Sequence, residues 1–382
     1  MKGSVLKKFL CTCLVTAAAF AATTISASAC TTIYVGGDLI EEGTPFVART
    51  EDYGSDYNKL WFISESGKWK QGDHYVGCPE YGPFEWDFTH DSYRFTYFTN
   101  DIYYDGICPE CGEKADHYSY TEFGTNEKGV SVSATETLYG NEKVTEADPY
   151  RDAEWAEANK SERIGIEETD IPTIILAEAS SAREGVKLLL DIYENYGCVA
   201  ASGVFVCDKD EVWYVENCSG TQYVAIKLND NMIFLEPNMA VIGRVDLDDE
   251  NVIASKDLIA VAKKAGTFVG DEAKNIIDFR ASYARISEKM DQRMIDGLNY
   301  LNAAYKYDSD ALVADNTKFT ISNLDASDKL VALYTNIKAD RKLDKDDVFG
   351  YYKLSSIGKA SNQEIEIFQL FKDRPVETAT VG

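Results

Sequence analysis

The sequence predicts an α+β fold, a sandwich whose antiparallel sheets lie between helical layers. Strand-like runs precede and follow the helical segments, several of them are close enough to form hairpins, and no internal repeat or Pro/Ser-rich linker divides the chain. One domain is therefore expected over 30–382. Thr31 to Val35 and Phe46 to Ala48 read as a first hairpin, joined by turn material at Gly36-Gly37 and Glu41-Glu42-Gly43. Residues 64–120 are rich in Tyr, Gly, Pro and acids without a sustained period, and read as a loop-rich insertion that shapes a substrate pocket. A strand follows over Gly129 to Thr135. A helix starts at the capping box Ser181-Ala182-Arg183-Glu184, repeats Val186, Leu189, Leu190 and Tyr193 on one face, and stops at Gly197. Strands are expected at Gly203 to Cys207, Val212 to Val215, Gln222 to Lys227 and Met232 to Leu235. Further helices are expected at Ser255 to Ala265 and from Asp271 through Arg280 to Met294.

The first 29 residues read as a secretory signal peptide. Lys2, Lys7 and Lys8 form a positive start, Phe9 to Ala22 is an apolar stretch short for a membrane span, and Ala27-Ser28-Ala29 is a small-residue cleavage pattern for signal peptidase. Cleavage there makes Cys30 the first residue of a secreted or cell-surface protein. Two rival readings stand beside it. One is a retained anchor; the other is a lipoprotein lipidated on Cys30, although Ala27 stands where a lipobox has Leu or a similar residue.

Composition excludes some functions. The net charge is −26, and the leader holds three lysines and no acids, so its loss leaves −29. Such a surface repels nucleic acid and anionic lipid. With 45% hydrophobic residues and 24 tyrosines, the chain can bury a large core. No second apolar run approaches membrane-spanning length.

Seven cysteines follow the leader, an odd number consistent with one free thiol and up to three bridges. Cys198, Cys207 and Cys218 lie in apolar strand-like stretches and read as small buried hydrophobes. Cys78 and Cys108-Pro109-Glu110-Cys111 read as a local disulfide staple or, with His117, as a zinc knuckle; His74 and His90 are also near in sequence.

An N-terminal cysteine carries nucleophile and base in one residue, because its α-amine, with an unperturbed pKa of about 8, accepts the thiol proton. Arg49 and Asp52 stand three apart at the end of the second strand. A guanidinium beside the sulfur favours thiolate, and a carboxylate orients the α-amine or binds a substrate ammonium. On spacing alone the pair is equally an exposed ion pair. Asn238 follows a strand and is either an oxyanion donor or a turn residue. This chemistry needs no metal or organic cofactor.

Ordered motifs across the chain resemble a known family. Cys30-Thr31-Thr32-Ile33-Tyr34-Val35-Gly36 and Val47-Ala48-Arg49-Thr50-Glu51-Asp52 resemble the mature start of cysteine-type dipeptidases related to lactobacillar dipeptidase A. These are N-terminal-nucleophile hydrolases, as are penicillin V acylases and bile salt hydrolases. Gly124 to Val130, Ala134-Thr135-Glu136-Thr137, Glu211 to Glu216, Tyr223-Val224-Ala225, Pro237-Asn238, Ile357-Gly358 and Ile367-Phe368-Gln369 to Pro375 continue the match. The resemblance implies a four-layer αββα sandwich, small peptides as substrates and Cys30 as nucleophile. It also implies Arg49 and Asp52 as neighbours of Cys30, Asn238 as an oxyanion or orienting residue, and Glu136 in a substrate-binding position where the acylases place an Asn. A later arginine is expected too, read as Arg285 with Arg280 as the alternative. Tyr223 in place of a frequent Trp, Glu366 in place of a common His, and the Cys-Pro-Glu-Cys insertion depart from the pattern.

An acylase acting on penicillin V or conjugated bile salts is the rival within the class; Glu211-Val212-Trp213-Tyr214-Val215-Glu216 favours the dipeptidase. A non-enzymatic surface lipoprotein is the rival outside it. Asp246-Leu247-Asp248-Asp249-Glu250 lacks the glycine of an EF-hand loop and reads as a solvated acidic turn. A papain-like Cys/His pair is disfavoured because all three histidines cluster between residues 74 and 117.

Overall fold

A computed structural model describes residues 30–52, 59–77, 84–100, 121–135, 138–286, 291–302 and 339–373. The leader, Cys78, Cys108, Cys111, His117 and Glu136 lie outside the described residues.

The strands, in chain order, are β1 (Thr31–Val35), β2 (Phe46–Asp52), β3 (Lys59–Ser64), β4 (His74–Val76), β5 (Glu85–Asp87), β6 (Phe95–Asn100), β7 (Phe123–Asn126) and β8 (Ser131–Thr135). They continue with β9 (Gly203–Cys207), β10 (Val212–Asn217), β11 (Tyr223–Leu228), β12 (Ile233–Glu236), β13 (Arg244–Asp246), β14 (Val252–Ala254), β15 (Gly270–Asp271), β16 (Ile276–Asp278) and β17 (Asn362–Gln369). The helices are α1 (Glu142–Ala147), α2 (Ala153–Asn159), α3 (Ile171–Glu178), α4 (Ala182–Asn195), α5 (Leu258–Ala265), α6 (Phe279–Tyr283), α7 (Gln292–Leu301) and α8 (Lys345–Tyr351).

Two antiparallel sheets dominate. One has four strands in the order β12-β1-β2-β17; the other has eight, β14-β11-β10-β9-β8-β7-β6-β3. The central strands of the larger sheet are buried on both faces, so they read as continuous apolar runs rather than alternating ones. Side chains still sort by period two. Val204, Val206, Trp213 and Val215 join α3 and α4 in one core, while Phe205, Cys207, Val212 and Tyr214 join the smaller sheet in the other. Phe234 of β12 fixes that second contact: its ring lies 5.3 Å from Phe205 and 4.6 Å from Tyr214, each on the facing sheet. Next to Phe234, Leu235 is turned to the opposite side of β12, against Gly297 of α7.

Helix α4 begins as its sequence predicts, with Ser181 Oγ accepting from the Glu184 backbone. The return bond of the capping box goes one residue further back, since Glu184 accepts from Ser180. Gly197 sits at φ +78°, beyond the helix end, where a side chain would be strained.

Two expectations are corrected, and one helix is added. Part of the segment expected as a loop-rich insertion contributes to the core: Trp69, Tyr75, Phe84, Phe88 and Phe95 are buried, with Trp69 stacked on Phe88 at 5.0 Å. Aromatic rings fill a core by area and shape, so no period announces them. The long helix expected from Asp271 to Met294 is instead a sequence of short elements. Asn275 reverses the chain at φ +54°, and Asp278 and Asp291 each cap a separate helix by accepting from Ala281 and Arg293. Helix α3 was not anticipated because all eight of its residues are buried, which removes the amphipathic signal.

Truncating Phe234→Ala should cost about 3–5 kcal/mol by opening a cavity between the sheets. Urea unfolding checks it: the midpoint should fall while the slope stays unchanged.

Candidate active site

Strand β1 starts immediately after Cys30 and runs down the middle of the smaller sheet. Its register sets Thr32 opposite Glu236 on one side and Arg49 on the other, and Arg49 opposite Glu366 of β17. Directly opposed residues share a face, so Glu236, Thr32, Arg49 and Glu366 form one polar row across four strands. The adjacent row on that face is apolar, with Phe234, Tyr34, Val47 and Phe368 opposed in turn. The polar row faces the larger sheet, because Arg49 Nη1 donates to Ser133 Oγ of β8 at 3.4 Å.

Arg49 organises the row. Its Nη2 donates to Cys30 Sγ at 3.3 Å, and the guanidinium lies 3.8 Å from both Glu168 and Glu366. Burial pushes the Cys30 thiol upward, Arg49 pulls it down, and Glu168 and Glu51 add to the rise. Burial likewise raises Glu366 to about 8, against the pull of Arg49 and of a Ser133 hydrogen bond. Glu236, also buried, is raised to about 7 while accepting from the Met239 backbone at 3.1 Å. Its second oxygen takes the Thr32 hydroxyl at 3.4 Å. Asp52 is raised to about 6 by burial, countered by Lys359, Arg293 and Arg49, and Asn362 donates to it.

The residue that sequence reasoning missed is Arg293. Its Nη1 reaches the Cys30 carbonyl at 2.7 Å, Thr31 Oγ1 at 3.0 Å and Asn238 Oδ1 at 2.8 Å. Its Nη2 bonds Pro237 O, and Asp291 grips the other edge of the guanidinium at 2.8 and 2.9 Å. Because a guanidinium only donates, the Asn238 amide must present its oxygen to Arg293 and its NH2 away from it. Asn238 holds this position at φ +55°, a conformation asparagine tolerates better than most residues.

Arg285 is corrected by this geometry. It is exposed and lies over the Tyr139 ring at 4.4 Å. Arg280 is buried in α6, where it acts on the Asp278 carboxylate. One signal for Arg293 was readable: a cation in the first turn of a helix opposes the helix dipole, so Arg293 needed a partner such as Asp291.

The sulfurs outside the site are structural. Cys207 and Cys218 are buried thiols, and Cys198 Sγ bonds Asn217 and the Ser219 carbonyl. With Cys30, Cys198, Cys207 and Cys218 all unbridged, the expectation of one free thiol and up to three bridges is corrected: three cysteines remain, enough for one bridge. His74 pairs with Asp87, and both ring nitrogens of His90 meet backbone carbonyls, of Asp91 and Glu178. Among the described residues, Glu51, Glu122 and Glu364 bring carboxylate oxygens within 4.8 Å of one another, a geometry able to hold a cation. The Lys59 ammonium already lies against Glu51 and Glu122.

Residues 29–382 match the Peptidase family C69 model. A probable dipeptidase B of Streptococcus pyogenes is 30% identical over 370 residues, covering 91% of this chain and 67% of the relative. A probable dipeptidase of Salmonella dublin is 32% identical over 262 residues, 67% of this chain and 53% of its own. A dipeptidase of Bifidobacterium longum is 33% identical over 222 residues, or 58% and 39%. A penicillin V acylase structure from Agrobacterium tumefaciens aligns with 89% of this chain and 80% of its own, at TM-score 0.37 and 11% identity. The family match and the sequence relatives make the protein a cysteine-type peptidase. The chain belongs to peptidase family C69, the family its ordered motifs resemble.

Glu366 sets a pH dependence. It keeps its proton to about pH 8 when folded but loses it near 4.5 when unfolded, so the folded state binds more protons between those limits. Its contribution is complete below about pH 4.5 and is lost as pH rises through about 8. Glu366→Gln, uncharged throughout, should match wild type near pH 4.5 and exceed it by on the order of a few kcal/mol above pH 8. Urea unfolding at the two pH values measures the difference.

Proposed function

We propose that the protein is an exported dipeptidase whose nucleophile is Cys30, exposed as the mature N-terminus by cleavage after Ala29. The observation that carries this reading is the contact of a buried guanidinium with the Cys30 sulfur at the head of a central strand. A four-layer αββα arrangement is part of the proposal, supported by α3 and α4 against one face of the larger sheet and α7 against the smaller.

In the uncut chain the Cys30 nitrogen belongs to the amide with Ala29 and cannot serve as a base. The thiol is held up by burial and stays protonated. Cleavage creates an amine on the same residue, which takes the thiol proton while Arg49 steadies the thiolate. The sulfur attacks the dipeptide carbonyl, forming a C–S bond and a tetrahedral oxyanion. Asn238, its oxygen held by Arg293, presents its NH2 as a donor to that oxyanion. Collapse breaks the C–N bond; the Cys30 ammonium protonates the departing amine and leaves a thioester. Water, deprotonated by the α-amine, hydrolyses the thioester and restores the thiol. Arg293 anchors the Cys30 carbonyl throughout, so the nucleophile swings on a fixed pivot.

Dipeptides are favoured as substrates because the curated relatives of this chain are named dipeptidases. Intact-mass analysis of the exported protein should give a chain beginning with unmodified Cys30. Cys30→Ser should reduce dipeptide hydrolysis by about 10³-fold or more while leaving secretion intact. A diacylglycerol mass increment, a different first residue, or wild-type turnover in Cys30→Ser rejects the proposal.

A further inference from the structure

We infer that Glu236 is the positioning residue of the turn Pro237-Asn238-Met239, aiming the Asn238 amide at the carbonyl that Cys30 attacks. The inference rests on the roles proposed above for Cys30 and Asn238, and adds the group that sets one against the other.

The turn is held from two sides by groups of opposite bonding character. Arg293 can only donate, and it takes the Pro237 carbonyl at 3.1 Å and Asn238 Oδ1 at 2.8 Å. Glu236 takes the amide hydrogens: its Oε1 accepts from Met239 N at 3.1 Å, and the Asn238 N–H also donates to this carboxyl group. The peptide between Pro237 and Asn238 is therefore gripped at both ends, its C=O by Arg293 and its N–H by Glu236. Holding that plane together with the N–H of the next one fixes both backbone dihedrals of Asn238. Such a hold is needed, because Asn238 stands at φ +55°, a conformation that persists only where the surroundings impose it.

Glu236 also reaches the strand that carries the nucleophile. It ends β12 fully buried and opposite Thr32 of β1, and its Oε2 accepts the Thr32 hydroxyl in a longer bond of 3.4 Å. Thr32 follows Cys30 by two positions. One carboxyl group thus joins the turn bearing the oxyanion donor to the start of the nucleophile's strand.

A second buried glutamate nearby is wired differently. Glu216 of β10 gives both its oxygens to successive amides, Val241 N at 2.6 Å and Ile242 N at 3.1 Å. Glu216 pins the far end of the segment after β12 to the facing sheet, whereas Glu236 ties the near end to β1. A displacement of about 1 Å in a catalytic group can cost about 100-fold in rate, so a donor placed by that tie is sensitive to its loss.

The test uses the processed protein with dipeptides at about pH 6. Burial raises Glu236 to about 7, so its carboxyl group is mostly protonated there and a neutral replacement leaves the charge of the site almost unchanged. Glu236→Leu should lower kcat roughly 10- to 100-fold with KM little changed. Glu236→Gln, which offers the same acceptor and donor as the protonated acid, should restore most of that loss. Thr32→Val should lower kcat about 2- to 10-fold. Asn238→Gly removes the side-chain amide and tolerates the positive φ; in that background neither Glu236→Leu nor Thr32→Val should slow turnover further. The iodoacetamide alkylation rate of Cys30 should be the same in wild type, Glu236→Leu and Thr32→Val.

Wild-type kcat in Glu236→Leu overturns the inference, as does a Glu236→Gln variant as slow as Glu236→Leu, which would assign Glu236 a proton to transfer rather than a turn to hold. Losses that multiply in the Asn238→Gly background, or a parallel loss of alkylation, overturn it as well. Should Glu236→Leu not fold, Thr32→Val with and without Asn238→Gly decides the same question. Failure of the underlying reading looks different: Asn238→Gly would then turn over at the wild-type rate, or wild type would hydrolyse no dipeptide at all.

Discussion

The buried guanidinium of Arg49 is the constraint on which the rest depends. It lies in the interface between the two sheets, where an unpaired charge would be far too costly to keep. Side chains from across the fold meet it: the Cys30 sulfur, Ser133 from the facing sheet, Glu366 of β17, and the Glu168 carboxylate from the turn before α3. A lysine would not serve, since one ammonium cannot reach in several directions with a fixed planar fork. The same charge that must be neutralised for the fold to stand is the one able to hold a thiolate. In the proposed mechanism, stability and reactivity therefore meet at one side chain.

Arg293 performs the complementary task on the backbone. Joining the Cys30 carbonyl, Thr31, Pro237 and Asn238, it ties the start of β1 to the turn that follows β12. Those segments are separated by about two hundred positions in the chain, yet they are fixed to the same planar group. Asp291 supports that group from behind with two bonds, so the arginine has little freedom of its own.

Much of the architecture was legible in the sequence, and the reasons are local. Strands β1 and β9 fall where apolar, β-branched runs end at glycine or charge, and α4 falls between a serine cap and a glycine stop. What was hidden depends on burial from distant parts of the chain. Helix α3 shows no polar face, and the aromatic cluster around Trp69 follows no period because rings from scattered positions converge. Of the site, Cys30, Arg49 and Asn238 could be singled out from residue type and motif order. Their neighbourhood also contains Arg293 and Glu168, which no spacing announces: one opens a short helix and the other is the second of two adjacent acids in a turn.

The order of strands in the smaller sheet has a consequence for when the site can exist. Strand β1 is paired on both sides, by β2 and by β12, and the row is completed by β17, which begins only at Asn362. A chain emerging from its N-terminus exposes Cys30 first and the strand carrying Glu366 almost last. Such long-range pairing forms slowly compared with helices and hairpins. Throughout synthesis, then, the sulfur waits beside an incomplete sheet, and Arg49 gains its last carboxylate only when the polypeptide is nearly finished.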